Sequence, residues 1–303
     1  MTYELYLTDK CTRHCSFCYI KNTSYVESLD NLKAFCDEVN ADTSEKTIVL
    51  FGGEPLLNVD GLQYVLSTIH NAKFVLVTNA DLLNVVKVDL SNVYVQISAY
   101  DIFSNVEKYV QLAKTIKAKD IVFSFTFDQS TISRFSEFIF ICEENNLNYR
   151  FAFSHTELSW NSIDIDELYT TIKSCYLLVL NQPTDKWQKC LYGPLKRIVQ
   201  SMLDHSTKSL NCISDDKRTF YKGKFLNIPC IQSTYQDFGY VAEPIYCTTC
   251  KYRLACMKSC RAEWKNYIVP PRLCKIEQAR IDAYLEIISK NIHRECLQQI
   301  IKS

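Results

Sequence analysis

The sequence predicts an α/β protein, an open, partial (β/α)6 barrel of the TIM type followed by a small cysteine-rich domain and a C-terminal helix. In the first half of the chain, short runs of β-branched and apolar residues alternate with longer amphipathic stretches, which is typical of βα units on a parallel sheet. Six such units are too few to close an eight-stranded barrel. In the second half, cysteines are dense and long periodic segments are scarce.

Six runs are predicted as strands because each is short, apolar and rich in β-branched or aromatic residues. They are residues 4–8, 47–51, 74–78, 93–98, 121–127 and 149–153. Helices are predicted between them at residues 28–40, 60–69, 105–116 and 131–145, where apolar residues recur on one helical face. Because chemistry gathers at the carboxyl ends of parallel strands, the residues directly after each strand are the candidates for function.

The pattern changes from about residue 161. A helix is predicted at residues 165–180, with Pro183 soon after it as a stop. Residues 212–274 are rich in cysteine and turns, as in small domains where metal takes the place of a large core. A closing helix is predicted at residues 276–301. We therefore expect a barrel at 1–185, a cysteine-rich domain at 186–280 and a C-terminal helical segment at 281–303.

Composition and charge exclude several classes of function. Lys plus Arg and Asp plus Glu both total 34, so the net charge gives no reason to expect a nucleic acid or an anionic membrane as partner. The first residues lack the basic start and apolar run of a secretory signal. No apolar stretch reaches the roughly 18 residues that a membrane span needs. We expect a cytoplasmic globular protein.

Three cysteines follow the first predicted strand, namely Cys11, Cys15 and Cys18. Three thiolates on one loop can hold three irons of a cubane cluster and leave the fourth iron open, whereas a four-cysteine site is closed. The alternatives are free thiols or a zinc site with His14 as the fourth ligand. Zinc sites usually separate their ligand pairs by a longer loop, and His14 is poorly placed beside Cys15. The spacing favours the iron–sulfur cluster.

The spacing Cys-x3-Cys-x-aromatic-Cys, with Phe17 as the aromatic residue, resembles the signature of radical S-adenosylmethionine (SAM) enzymes. A second match, Gly52-Gly53-Glu54-Pro55, follows the second predicted strand. In that family the run binds the amino group of the SAM methionine, and glycines permit close approach of the backbone to a ligand. A strand-end turn is the alternative for this run alone. The two motifs, in this order and each at a strand end, favour the resemblance.

Weaker likenesses at three further strand ends imply more SAM contacts. The candidates are Thr78, Asn79, Ser98 and Thr126. Ala80 stands where relatives often have a glycine. Ser98 and Asp101 resemble a Ser-x-Asp stretch that contacts the SAM ribose, with one residue more between them. Ordinary strand caps are the alternative for all of these residues.

The second cysteine group resembles the SPASM domain of radical SAM peptide maturases. Its run reads Cys-x2-Cys-x5-Cys-x3-Cys, and six residues separate Gly223 from Cys230, where the family usually has four. The resemblance implies one auxiliary cluster on Cys247, Cys250, Cys256 and Cys274. It implies another on Cys212, Cys230 and Cys260, with Cys190, a substrate group or water as fourth ligand. A structural zinc knuckle is the alternative.

Cysteines on helix-like stretches, namely Cys36, Cys142, Cys175 and Cys296, are expected to be buried small hydrophobes.

The resemblance also implies the chemistry. A SAM-binding [4Fe–4S] cluster cleaves SAM reductively, and the 5′-deoxyadenosyl radical takes a hydrogen atom from a ribosomal precursor peptide, giving a cross-link, an oxidation or a backbone excision. Two auxiliary [4Fe–4S] clusters and an electron donor such as flavodoxin or ferredoxin are implied as well. No separate module of roughly 80–100 residues precedes Cys11, so we expect a discrete small leader-peptide-binding protein.

Three other functions stay open on the sequence. They are a sulfatase-type formylglycine maturase, a non-catalytic iron–sulfur electron-transfer protein and a zinc-stabilised interaction module. No residue is identified from the sequence as the catalytic acid or base.

Overall fold

The computed structural model describes most of the chain. The described residues are 1–15, 18, 20, 22–154, 160–182, 198, 201, 217–226, 247, 250–252, 256 and 271–291. They form two compact units. The first holds the described residues of Met1–Phe125, Asn145–Asn148 and Ile213–Asp237, and the second those of Thr126–Glu144, Tyr149–Cys212 and Phe238–Ser303. The expected division at 1–185, 186–280 and 281–303 stays a prediction, since much of its middle segment lies outside the described residues.

Strands and helices alternate through the first half of the chain, as predicted. The strands are β1 (Thr2–Tyr6), β2 (Lys46–Phe51), β3 (Ala72–Thr78), β4 (Leu90–Ser98), β5 (Ala118–Phe127) and β6 (Tyr149–Phe153). From β1 to β5, neighbours in the chain pair in parallel. In this register Tyr6 lies beside Phe51, and Ser98 beside Ser124. The carboxyl ends of β1 to β4 therefore meet at one edge of the sheet.

Six helices are described, all in places where helices were predicted. They are α1 (Leu29–Ala41), α2 (Val59–Thr68), α3 (Val106–Thr115), α4 (Phe135–Glu144), α5 (Ile165–Leu180) and α6 (Pro271–Asn291). Polar side chains cap several of their first turns, as when the Ser28 hydroxyl accepts from Asn31 N at the start of α1. The last helix, α6, begins ahead of the predicted start at 276, and residues 292–303 lie outside the described ones.

Two strands that the sequence did not predict, β7 (Lys217–Tyr221) and β8 (Lys224–Phe225), extend the sheet beyond β1. β7 pairs in parallel with β1, and β8 pairs antiparallel with β7. The Glu4 carboxylate on β1 accepts from Lys217 Nζ at 2.7 Å and from Thr219 Oγ1 at 3.2 Å. A run this short and this charged has no periodic pattern, so its strand character appears only when β1 provides a partner.

The strand order is β6-β5-β4-β3-β2-β1-β7-β8. Within the described ranges, the two end strands do not pair with each other, so the barrel is open, as predicted. In the second unit, Ser154 N donates to Phe127 O at 2.7 Å, which extends β6 beside the end of β5.

Apolar side chains fill both units. In the second unit α5 packs along α6, and Trp160, Leu168 and Ala283 are fully buried. Three cysteines on helices, Cys36, Cys142 and Cys175, are buried, which confirms the expectation for them; Cys296 lies outside the described residues. None of the helices in the described part of the chain is long and apolar enough to cross a membrane.

Candidate active site at the carboxyl ends of the strands

The backbone that leads from β1 into Cys11 is bonded to the backbone that follows β2. Gly53 N donates to Thr8 O at 2.8 Å, and Glu54 N donates to Lys10 O at 2.7 Å. Two motifs that are distant in the sequence are thus joined at the edge where the strands end. This is the location that the predicted strand ends require.

Gly52 and Gly53 make this contact possible. A Cβ atom on Gly53 would lie 2.3 Å from Lys10 O and 2.7 Å from Asp9 O, and one on Gly52 would lie 2.6 Å from Thr8 O. Real Cβ atoms essentially never approach heavy atoms within 3.0 Å. The glycines therefore provide a close approach, as predicted, but on this side of the turn the approaching group is the chain's own backbone.

Glu54 links the ends of β2 and β3. Its side chain is fully buried; Oε1 accepts from Leu56 N at 3.1 Å and Thr78 Oγ1 at 2.8 Å, while Oε2 accepts from Asn79 N at 2.8 Å. Burial raises the pKa of Glu54 above its ordinary value, and these donors partly oppose the shift. Pro55 is buried as well and begins the short 3-10 helix Pro55–Leu57. Both oxygens of the carboxylate are thus engaged within the protein.

The Cys11 sulfur accepts two weak hydrogen bonds. Arg13 N lies 3.4 Å and Asn79 Nδ2 lies 3.8 Å from Cys11 Sγ. Further along the loop, Cys18 N donates to Cys15 O at 3.0 Å, which closes a turn between the second and third cysteine. Asn79, predicted from the third strand end, is therefore brought directly against the first cysteine.

The three thiols influence one another electrostatically. Burial raises the pKa of Cys11 and of Cys15, and the neighbouring charge of Cys18 raises both further. A bound cation relieves such repulsion and holds thiolates in the deprotonated form. Three sulfur donors on one loop, with N–H groups directed at the first, fit a [4Fe–4S] cluster as a donor set. Among the described residues, no three metal-ligating side chains lie close enough together to form a metal site. The cluster assignment therefore depends on the three thiols and on their position after β1.

A network of charges that no sequence pattern indicated surrounds Arg13, which lies between the first two cysteines. Arg13 binds Asp81 through two nitrogens, Nε at 2.8 Å and Nη2 at 2.5 Å, and its Nη1 lies 3.1 Å from Asp101. Lys108 Nζ lies 2.9 Å from Asp81, and the Tyr109 hydroxyl donates to Asp101. The hydrogen bonds from Arg13 hold the pKa of Asp81 well below its ordinary value. The network connects the cysteine loop to the ends of β3 and β4 and to α3.

Other predicted residues have different surroundings. Ser98 is half-buried at the end of β4. Asp101 is occupied by Arg13, Lys108 and Tyr109, so its carboxylate serves this network. Thr126 is half-buried and belongs to the second unit, whereas the other SAM-binding candidates belong to the first.

Four cysteines of the second group are described, all in the second unit and all partly buried: Cys247, Cys250, Cys256 and Cys274. Cys250 N donates to Cys247 O at 3.2 Å, and Cys256 N donates to Tyr252 O at 2.8 Å. Burial raises the pKa of Cys274, and the charge of Cys250 adds to the shift. The remaining predicted ligands, Cys190, Cys212, Cys230 and Cys260, lie outside the described residues.

The contact between Arg13 and Asp81 is testable by a double-mutant cycle. We expect a coupling free energy of about 1–2 kcal/mol for Arg13→Met and Asp81→Asn, because a bidentate, partly buried pair is stronger than an exposed one. Urea unfolding of the metal-free protein measures it. The pair Lys33→Met and Asp37→Asn is the control, since both side chains are 64% exposed and little coupling is expected there. Equal coupling in the two cycles would contradict a special role for Arg13.

Comparison with known proteins identifies the first part of the chain. Residues 5–91 match the model of the Radical SAM superfamily. This match covers the segment from β1 to the start of β4 and contains the three cysteines, Gly52 to Pro55 and the Thr78–Asn79 turn. None of the curated proteins matches the chain.

Solved structures share the fold over nearly the whole chain. A histidine-tagged form of anSMEcpe with bound AdoMet is 14% identical, with a TM-score of 0.69 over 99% of this chain and 98% of that one. Native anSMEcpe with bound AdoMet and Cp18Cys peptide is 13% identical, with a TM-score of 0.66 over 95% and 97%. Streptococcus suis SuiB is 14% identical, with a TM-score of 0.55 over 86% of this chain and 73% of that one.

At these identities the structural likenesses establish the fold, while the superfamily match at residues 5–91 includes the cysteine loop. A match to this superfamily implies one [4Fe–4S] cluster and SAM as cofactors. Residues 5–91 thus match the Radical SAM superfamily, and the chain shares the open α/β barrel fold of these solved structures.

Proposed function

We propose that this chain is a radical SAM enzyme that modifies a ribosomal precursor peptide. The observation that carries the proposal is the pair of backbone hydrogen bonds from Gly53 and Glu54 to the segment that leads into Cys11. Cys11, Cys15 and Cys18 would hold a [4Fe–4S] cluster, and that group would supply one-electron reductive cleavage of SAM for hydrogen-atom abstraction from the peptide. The peptide substrate is supported by the fold, which the peptide-bound anSMEcpe structure shares.

The protein's own residues position this chemistry. Asn79 and the Arg13 amide direct N–H groups at Cys11 Sγ, which stabilises the thiolate form of that ligand. Glu54 and Thr78 hold the ends of β2 and β3 together. We assign SAM binding to the same edge of the sheet, with contacts from the candidates Gly52, Gly53, Glu54, Pro55, Thr78, Asn79 and Ser98. Thr126, which belongs to the second unit, stays a sequence prediction.

Auxiliary clusters complete the proposal. Cys247, Cys250, Cys256 and Cys274 are assigned to one, and Cys212, Cys230 and Cys260 to the other, with Cys190 or an open position as its fourth ligand. A flavodoxin or ferredoxin is the proposed electron donor, and a small leader-peptide-binding protein the proposed partner, in the cytoplasm. The electron-carrier and zinc-module alternatives leave the superfamily match without an explanation.

Anaerobic reconstitution tests the central claim. The reduced protein is mixed with SAM, and 5′-deoxyadenosine is measured by liquid chromatography. We expect product from the wild-type chain and none above background from the variant with Cys11, Cys15 and Cys18 changed to Ala, because the open iron site is then gone. Cys36→Ala is the matched control, since this buried cysteine lies on α1 and its variant should retain the product. Product from the triple variant would overturn the proposal.

A second candidate, sulfatase-type formylglycine maturation, would use the same set of clusters and therefore the same cysteines. The two functions differ in their substrate. Incubation with a sulfatase-motif peptide and with a precursor peptide, followed by mass spectrometry, separates them. A mass change in the sulfatase peptide alone would favour formylglycine formation over precursor-peptide modification.

A further inference from the structure

The cysteine loop, residues 10–22, is closed at its base by its own flanking residues. Asp9 N donates to Tyr25 O at 3.1 Å, and the Thr8 hydroxyl donates to the same oxygen at 2.6 Å. One step further out, Glu27 N donates to Leu7 O at 2.9 Å. The two arms of the loop thus run antiparallel, and whatever holds this base also limits how far the loop can open.

Asp9, at the base and two residues before Cys11, is a fully buried carboxylate. Its Oδ2 accepts from Thr23 Oγ1 at 2.8 Å and from the Tyr221 hydroxyl at 2.7 Å, and Lys222 Nζ lies 3.6 Å from it. Its Oδ1 is buried and has no hydrogen-bond partner among the described residues. A buried carboxylate depends strongly on the donors it has, so the contacts from Tyr221 and Lys222 are costly to lose.

A second buried carboxylate, Glu27, binds the same turn. It accepts from the Tyr25 hydroxyl at 2.6 Å, from Asn31 Nδ2 at 2.7 Å and from Gly223 N at 3.2 Å. Lys222 and Gly223 both have positive φ, 52° and 74°, as a two-residue type I′ hairpin turn requires. A Cβ on Gly223 would lie 2.7 Å from Asn31 Nδ2, so the turn is seated tightly against α1.

Aromatic packing joins the turn to both sides of the loop. Tyr6 and Tyr221 form a small buried cluster, against which Ile20, Tyr25 and Phe51 pack. The rings of Tyr25 and Tyr221 meet edge to face with their centroids 5.9 Å apart. Since Ile20 lies two residues after Cys18, the far end of the cysteine loop also contacts this cluster.

We propose that the turn between β7 and β8 is a latch on the base of the cysteine loop, with Tyr221 and Lys222 as positioning residues for Cys11, Cys15 and Cys18. The proposal rests on the proposed function, because it takes this loop as the holder of the SAM-binding cluster. The turn lies in the sequence between Cys212 and Cys230, so the auxiliary segment of the chain reaches the SAM-cluster loop through it. Opening of the latch loosens the loop while the rest of the sheet stays paired.

Hydrogen exchange on the metal-free protein tests the latch without any SAM chemistry. Tyr221→Phe removes one hydroxyl, and Lys222→Asn removes the charge while keeping a residue that tolerates positive φ. We expect amides of residues 10–22 to exchange roughly tenfold faster in either variant, as for the loss of one hydrogen bond (Tyr221) or one ion pair (Lys222) to a buried carboxylate. Lys224→Gln is the matched control, since it removes an equal charge from an exposed position on β8. Unchanged exchange in both variants would overturn the proposal.

A second readout uses the reconstituted protein. The SAM concentration needed for half of the SAM-induced change in the cluster's electron paramagnetic resonance spectrum should rise in Tyr221→Phe and Lys222→Asn, and Lys222→Arg should restore it. If the variants and Lys224→Gln titrate alike, the turn has no positioning role. If the wild-type chain cleaves no SAM, the proposed function fails, while the exchange result still decides whether the latch exists. Circular dichroism verifies that every variant is folded.

Discussion

Gly53→Ala is expected to destabilise the protein by about 3 kcal/mol or more and to prevent cluster binding, the largest effect of any single methyl group in this site. The added Cβ would lie 2.3 Å from Lys10 O and 2.7 Å from Asp9 O, both of them backbone atoms, and Lys10 O is itself held by the amide of Glu54. The only relief is displacement of the segment that leads into Cys11. Urea unfolding measures the loss of stability, and iron analysis after anaerobic reconstitution measures the loss of the cluster.

Gly61→Ala is the matched control in the same unit. Its Cβ would also meet atoms at 2.7 Å, but these are side-chain atoms of Leu32 and of Asn58, whose amide accepts from Gly61 N and donates to Leu7 O and Glu27 O. Alanine is also favoured over glycine within a helix such as α2 by up to about 1 kcal/mol. We therefore expect a smaller loss of stability than for Gly53→Ala, because side chains shift more readily than backbone, and full iron content. Equal losses in the two variants would show that the close backbone approach at Gly53 has no special importance.

Glu54→Ala is expected to lower the free energy of unfolding by on the order of 4 kcal/mol, because three buried donors lose their acceptor at once. They are Leu56 N, Asn79 N and the Thr78 hydroxyl. Glu54→Gln should cost less, since it keeps one oxygen, although its amide group then faces a donor. The midpoints and slopes of urea unfolding separate the two variants.

Thr78→Val is the control for this group. It removes one of the three donors and leaves the Glu54 carboxylate bound to two backbone amides, so its cost should be only about 1–2 kcal/mol. A Glu54→Ala variant no less stable than Thr78→Val would mean that the carboxylate does not hold β2 and β3 together. Iron content should follow the same ranking, because Asn79 contacts both Glu54 and Cys11.

Local patterns in the chain were enough for most of the fold. Each of the six predicted strands and six predicted helices is present, because alternation and helical periodicity reflect which face of an element is buried. The cysteine spacing and the Gly-Gly-Glu-Pro run are also local, each contained within a few consecutive residues. Both were visible without a structure, and the superfamily match supports their interpretation.

The role of individual site residues was less visible. The Glu54 carboxylate is engaged by the ends of β2 and β3, and Asp101 by Arg13, Lys108 and Tyr109, while their expected position near SAM stays a prediction. Hydrogen-bond partners depend on which strand ends become neighbours. A sequence motif specifies the residue type at a position, but it does not specify the direction of the side chain.

By itself, the sequence determined the open α/β class, the order of the elements and the three-cysteine loop after β1, since these depend on short-range periodicity and spacing. Only the tertiary structure decided the pairing of β7 with β1, the bond between Arg13 and Asp81, and the contact of Tyr221 with Asp9 across 212 residues. Such contacts join distant parts of the chain through single side chains. No local sequence pattern predicts these contacts, because they stabilise the protein only when the sheet has brought both partners together.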